Sequence, residues 1–159
     1  MTRRRTRQRR SRRGAVAMEF ALVAPLFVII LLGMATVGRV YEVQNHMIIA
    51  AREGARLASM DREGLMLAGQ NSNQKVIQDV RSILTANGLP GDTATVLIAD
   101  ADNREITFDL DDPDNERELF QVVVEMNYSD VAIIAMPEML GFQLSTRVVF
   151  RNGRVANTQ

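Results

Sequence analysis

The chain has 159 residues, 47% of them hydrophobic, with no cysteine, no tryptophan and a single histidine, His46. That length holds one membrane anchor and one small domain, and the missing cysteines exclude disulfides, thiolate metal sites and cysteine nucleophiles. The formal net charge of zero conceals an asymmetry: eight of the 19 basic residues are arginines ahead of Gly14, where no acidic residue lies, leaving 11 Lys and Arg against 19 Asp and Glu in the rest.

Behind the basic tip, Phe20 to Gly38 runs 19 residues without a charge, and only Glu19 interrupts the apolar run back to Ala15. At about 1.5 Å of rise per residue, some 20 residues cross the roughly 30 Å hydrocarbon core of a bilayer. Leu22, Val23 and the run Leu26 to Leu32 leave no polar face, so the sequence predicts a membrane-spanning helix over residues 15–38. Positive charge before the span keeps residues 1–14 in the cytoplasm and sends the remainder across the membrane. The same arginines form no nucleic-acid site in this reading, because beside a span their topological role suffices. Pro25 removes a helical hydrogen bond inside the span. Glu19 either snorkels to the headgroups or serves as a functional intramembrane carboxylate. Two secretory readings, a twin-arginine signal at Ser11-Arg12-Arg13 and a small-x-small cleavage site at Gly33-Met34-Ala35, both leave Glu19 unexplained.

Beyond the span, Val40, Val43, Met47, Ala50, Ala51, Gly54, Leu57 and Ala58 recur at helical spacing, so residues 39–60 continue the first helix outside the membrane. Its small residues admit a close neighbour, either the chain's own sheet or a partner. Arg52 and Arg56 mark the exposed side, and Glu42 and His46, four apart, are placed to pair.

Two stretches of this helix carry a resemblance. Arg12-Arg13-Gly14-Ala15-Val16-Ala17-Met18-Glu19-Phe20 places a basic leader, a glycine and then Glu-Phe at the head of an apolar run. It resembles the class III signal of type IV pilins and pseudopilins. Further along, Ala50-Ala51-Arg52-Glu53-Gly54-Ala55-Arg56 is similar to the A-x-x-G-A-R signature of TadE-like proteins, the pseudopilins or minor pilins of tight-adherence (Tad/Flp) pilus systems. The resemblance covers residues 12–59. It implies cleavage between Gly14 and Ala15 by a prepilin peptidase, with Glu19 and Phe20 part of the recognised segment and the anchor retained. It also implies that Glu19 neutralises the new α-amino group of a neighbouring subunit, which with Pro25 makes the span an assembly element. Gly54, Ala55 and Arg56 carry the family signature. The implied partners are the peptidase, other minor pilins or pseudopilins and the assembly platform, in a bacterial inner membrane.

Residues 61–159 read as a small periplasmic α+β domain. Asp61 to Asn73 is a loop. Ser72 or Asn73 caps a second helix with Val76, Ile77, Val80, Ile83 and Leu84 on one face, ended by Asn87-Gly88 and Pro90. Four strands follow, over Thr93 to Ala99, Arg104 to Leu110, Phe120 to Tyr128 and Phe142 to Phe150. Ile106, Phe108 and Leu110 share one side of the second. Phe120, Val122, Val124, Met126 and Tyr128 point inward from the third, and Phe142, Leu144, Thr146, Val148 and Phe150 from the fourth. The predicted fold is α+β, a long transmembrane helix leading into a pilin-like domain with a second helix and a four-stranded antiparallel sheet. The acidic residues of 109–118 form a solvated turn or a calcium site that lacks the EF-hand glycine. Val131 to Leu140 packs under the sheet or forms an exposed apolar patch.

No Ser-His-Asp set, phosphate loop or metal cluster is apparent, so no enzymatic activity and no cofactor are expected. The expected function is that of a TadE-like minor pilin or pseudopilin, cleaved after Gly14 and acting in assembly or priming of a pilus or secretion filament. The alternative is an uncleaved single-pass protein whose outer domain binds a ligand or partner.

Overall fold

A computed structural model of the protein describes residues 11–60, 69–132 and 142–153, with side chains from Gly14 onward. The chain divides into two units, one up to Gly38 and one from Arg39.

The first unit holds the start of α1, which spans Ser11–Ala58 and so begins four residues before the predicted start at Ala15. Among the described residues it is the one helix long and apolar enough to cross a membrane. From Gly14 to Gly38 its side chains are exposed nearly all round, with Phe20, Leu22, Leu26, Phe27, Ile29 and Met34 among them. A helix this apolar with no protein around it is at home in lipid. Pro25 lies inside α1 without ending it.

The second unit contains the rest of α1, then α2 (Ser72–Ala86), β1 (Thr95–Asp100), β2 (Leu119–Asn127) and β3 (Gln143–Arg151). The strands form an antiparallel sheet in the order β1-β2-β3. The core joins Val43, Met47, Ala50, Ala51, Ala55 and Ala58 of α1, Val76, Val80 and Leu84 of α2, and the inward residues of β2. Phe120 and Tyr128 are the bulkiest aromatics fully enclosed there, each burial of that kind contributing about 1.5–3 kcal/mol.

Several expectations are corrected. Among the described residues the sheet has three strands where four were expected. Arg104–Leu110 touches β1 through a single bridge, Ala99 to Thr107, and then leaves it. Its backbone is claimed elsewhere: Asn73 donates its amide to the Phe108 carbonyl (2.7 Å) and accepts the Leu110 N–H (3.0 Å). Beyond the two backbone hydrogen bonds that flank this bridge, one side chain thus takes the place of the next rungs a fourth strand would have supplied. Phe108 and Leu110 are buried as expected, but Ile106 is exposed. The cap of α2 is Asn71, one residue before Ser72 and two before Asn73, the expected candidates. Its side chain accepts the Gln74 N–H at 2.7 Å, and the Gln74 side chain accepts the Asn71 N–H, closing a capping box. Asn87 and Gly88, the latter at φ +76°, end α2 where expected.

On β2 the inward set is buried, but so are Gln121, Val123 and Glu125 on the other face. The Glu125 carboxylate accepts from the Arg104 guanidinium and from the Ser145 hydroxyl. On β3 only Leu144 of the inward set is fully buried, and Phe142 is exposed while stacking on Tyr128 at 4.7 Å. The acidic turn is knitted by its own carboxylates. Asp109 accepts the Asp111 N–H and Asp112 accepts the Asp114 N–H, while Asp111 accepts the N–H and hydroxyl of Ser72. Of the apolar connection, Val131 is buried and Ala132 half-buried, and residues 133–141 lie outside the described set.

Candidate functional site

The residues that sequence reasoning selected fall into two groups along α1. In the first unit, Gly14, Ala15, Glu19 and Phe20 lie within the opening turns of the helix, all exposed. Ala15 and Glu19 are four apart and therefore share a face. A hypothetical Cβ on Gly14 would meet nothing within 4 Å, so its surroundings in the helix do not require glycine there. Glycine lowers the stability of this turn instead, by about 1 kcal/mol against alanine. Pro25, two turns further on, is exposed too.

In the second unit the stretch Gly54-Ala55-Arg56 divides by role. A Cβ on Gly54 would sit 2.2 Å from Cγ2 of Val80, so the close neighbour that its small side permits is α2, not the sheet. Ala55 is fully buried. Arg56 faces outward and its guanidinium donates to Glu53. That hydrogen bond, with the attraction between the charges, holds the Glu53 carboxyl below its ordinary value and Arg56 above its own.

The expected pair of Glu42 and His46 does not form. Glu42 instead accepts from Arg39 at 2.8 Å, and Nδ1 of His46 is buried without a hydrogen-bond partner. Arg39 also donates to the Val131 carbonyl at 3.2 Å, joining the part of α1 that opens the second unit to the connection after β2.

Asn73 and Asn152 were missed as organising residues. Asn152 is fully buried; its side chain donates to the Asn115 carbonyl at 3.1 Å and its N–H to the Glu118 carbonyl at 2.9 Å. Nothing in the local pattern separates either from an ordinary loop asparagine. A groove of about 970 Å³ lies between α2 and β1, lined by Asn71, Asn73, Ile77 and Leu97 among others. Among the described residues, no three His, Asp or Glu side chains are placed to hold a metal.

No curated protein and no solved structure matches the chain. A family model described as TadE-like protein matches residues 14–56, beginning at the glycine that opens the helix and closing on Arg56 of the Gly-Ala-Arg stretch. That stretch of α1, well under half of the chain, is similar to TadE-like proteins.

Proposed function

We propose that the protein is a TadE-like minor pilin or pseudopilin of a Tad-type pilus system. The match over residues 14–56 carries this reading, because it joins the exposed apolar helix to the Gly54-Ala55-Arg56 stretch in one segment. The leader is removed between Gly14 and Ala15 by a prepilin peptidase at the cytoplasmic face of the inner membrane, and the outer domain lies in the periplasm. Its work is assembly or priming of the filament, not catalysis.

Physical arguments support each step. A peptide bond is cut in an extended conformation, so the first turn of α1 must open. Gly14 lowers the cost of opening and lets the backbone approach the cleft. The freed amine of Ala15 and the Glu19 carboxylate then lie on one helix face. Burying Glu19 in an assembled bundle requires a positive partner, and the Ala15 amine of an adjacent subunit supplies it. The exposed apolar sides of α1 offer packing surface to lipid and to neighbouring spans alike.

Co-expression with a prepilin peptidase tests the reading. Wild type should lose the mass of residues 1–14, and Gly14→Leu should lose nothing. Glu19→Ala should still reach the membrane but should crosslink poorly to other minor pilins. Unchanged crosslinking and unchanged assembly in Glu19→Ala would remove Glu19 from the account. A leader that persists with the peptidase present would favour an uncleaved anchor carrying a binding domain.

A further inference from the structure

The two edges of the sheet are treated differently. Register fixes which backbone groups face out. Tyr128 donates its N–H to the Phe142 carbonyl and Asn152 donates to that of Glu118, so the even-numbered residues of β3 face β2. The N–H and C=O groups of Gln143, Ser145, Arg147, Val149 and Arg151 therefore point away from the sheet. The outer edge of β1 is partly covered, because Phe108 donates to the Ile98 carbonyl and Asp100 donates to that of Ile106. Among the described residues, nothing bonds the outward backbone groups of β3.

Side chains along this edge specify what it accepts. Ser145, Arg147, Val149 and Arg151 are exposed on one face, and neither arginine has an ion-pair partner among the described residues. On the opposite face, Val148 and Phe150 are half-buried and line a groove of about 500 Å³ together with Ile49, Ile83 and the charged Arg52, Glu53 and Arg56. An antiparallel second copy of β3 centred on Arg147 would set arginine opposite arginine, and like charges directly across a ladder repel. A strand carrying acidic residues on one face and apolar residues on the other meets both surfaces.

We propose that the free edge of β3 is a strand-addition site for an extended segment of another protein, with acidic side chains beside Arg147 and Arg151 and apolar side chains toward Val148 and Phe150. Backbone hydrogen bonds supply the pairing and the alternating side chains supply the selection. The two arginines also act against self-pairing, as charges on edge strands commonly do. This inference does not depend on leader cleavage or on Glu19.

The test uses the full chain in detergent micelles and a nine-residue peptide alternating valine and glutamate, with its valine–lysine counterpart as control. The glutamate peptide should slow amide exchange at Ser145, Arg147 and Val149, and the lysine peptide should not. Arg147→Glu with Arg151→Glu should weaken the glutamate peptide roughly tenfold and admit the lysine peptide. Val149→Pro removes only an outward donor, so it should keep the native sheet and lose the peptide. Equal protection by both peptides, protection by neither, or undiminished binding to Val149→Pro would overturn the proposal. So would self-association through β3 in place of peptide binding.

Discussion

Gly54 has room for a hydrogen atom and nothing larger. An added Cβ meets Val80 at 2.2 Å, and Val80 is itself fully buried, so Gly54→Ala should destabilise the second unit by about 1–3 kcal/mol. Combined with Val80→Ala, the loss should fall short of the sum of the two single changes, because the second makes space for the first. Denaturant unfolding of the three variants checks both statements. Two residues along, the ion pair of Glu53 and Arg56 makes an acid-side prediction. Arg56 stabilises the ionised form of Glu53, so the folded carboxyl loses its charge at a lower pH than the unfolded one. The contribution is therefore present above the ordinary carboxyl range and disappears as pH falls through the lowered value. NMR titration should find Glu53 below its ordinary pKa, and Arg56→Gln should return it there.

At the scale of elements, helices were read with less error than strands. The 3.6-residue pattern of α1 and the Val76, Val80 and Leu84 stripe of α2 are both buried faces, and a helix makes its hydrogen bonds within itself. A strand's partners lie elsewhere in the chain. Arg104–Leu110 alternates as a strand should, yet Asn73 takes the two backbone groups that would have paired with a neighbour. Asn73→Ala should therefore cost about 1–3 kcal/mol, the penalty for buried polar groups left unmade. Amide exchange at Leu110 should accelerate while β2 stays protected. The second buried face of β2 was equally illegible, because Gln121 and Glu125 are tolerable inside only with partners distant in sequence, among them Arg104 and Ser145.

For the molecule as a whole, the sequence already carried the contrast between an apolar helix with no protein cover and a domain with an ordinary core. Charge asymmetry and hydropathy are properties of the chain and need no knowledge of contacts. The segment that the family model matches was legible for the same reason, since Gly14, Glu19 and the Gly54-Ala55-Arg56 stretch lie along one helix at fixed spacing. The division of that last stretch was legible too, with Gly54 and Ala55 packed and Arg56 on the surface; what was not legible was that the element against Gly54 is α2 and not the sheet. The central claim is that residues 1–14 are a leader and that α1 is kept as both anchor and assembly element. N-terminal sequencing of the protein from its native membrane tests it most directly. The account predicts a mature chain beginning at Ala15, and a chain that still begins before Arg13 would contradict it.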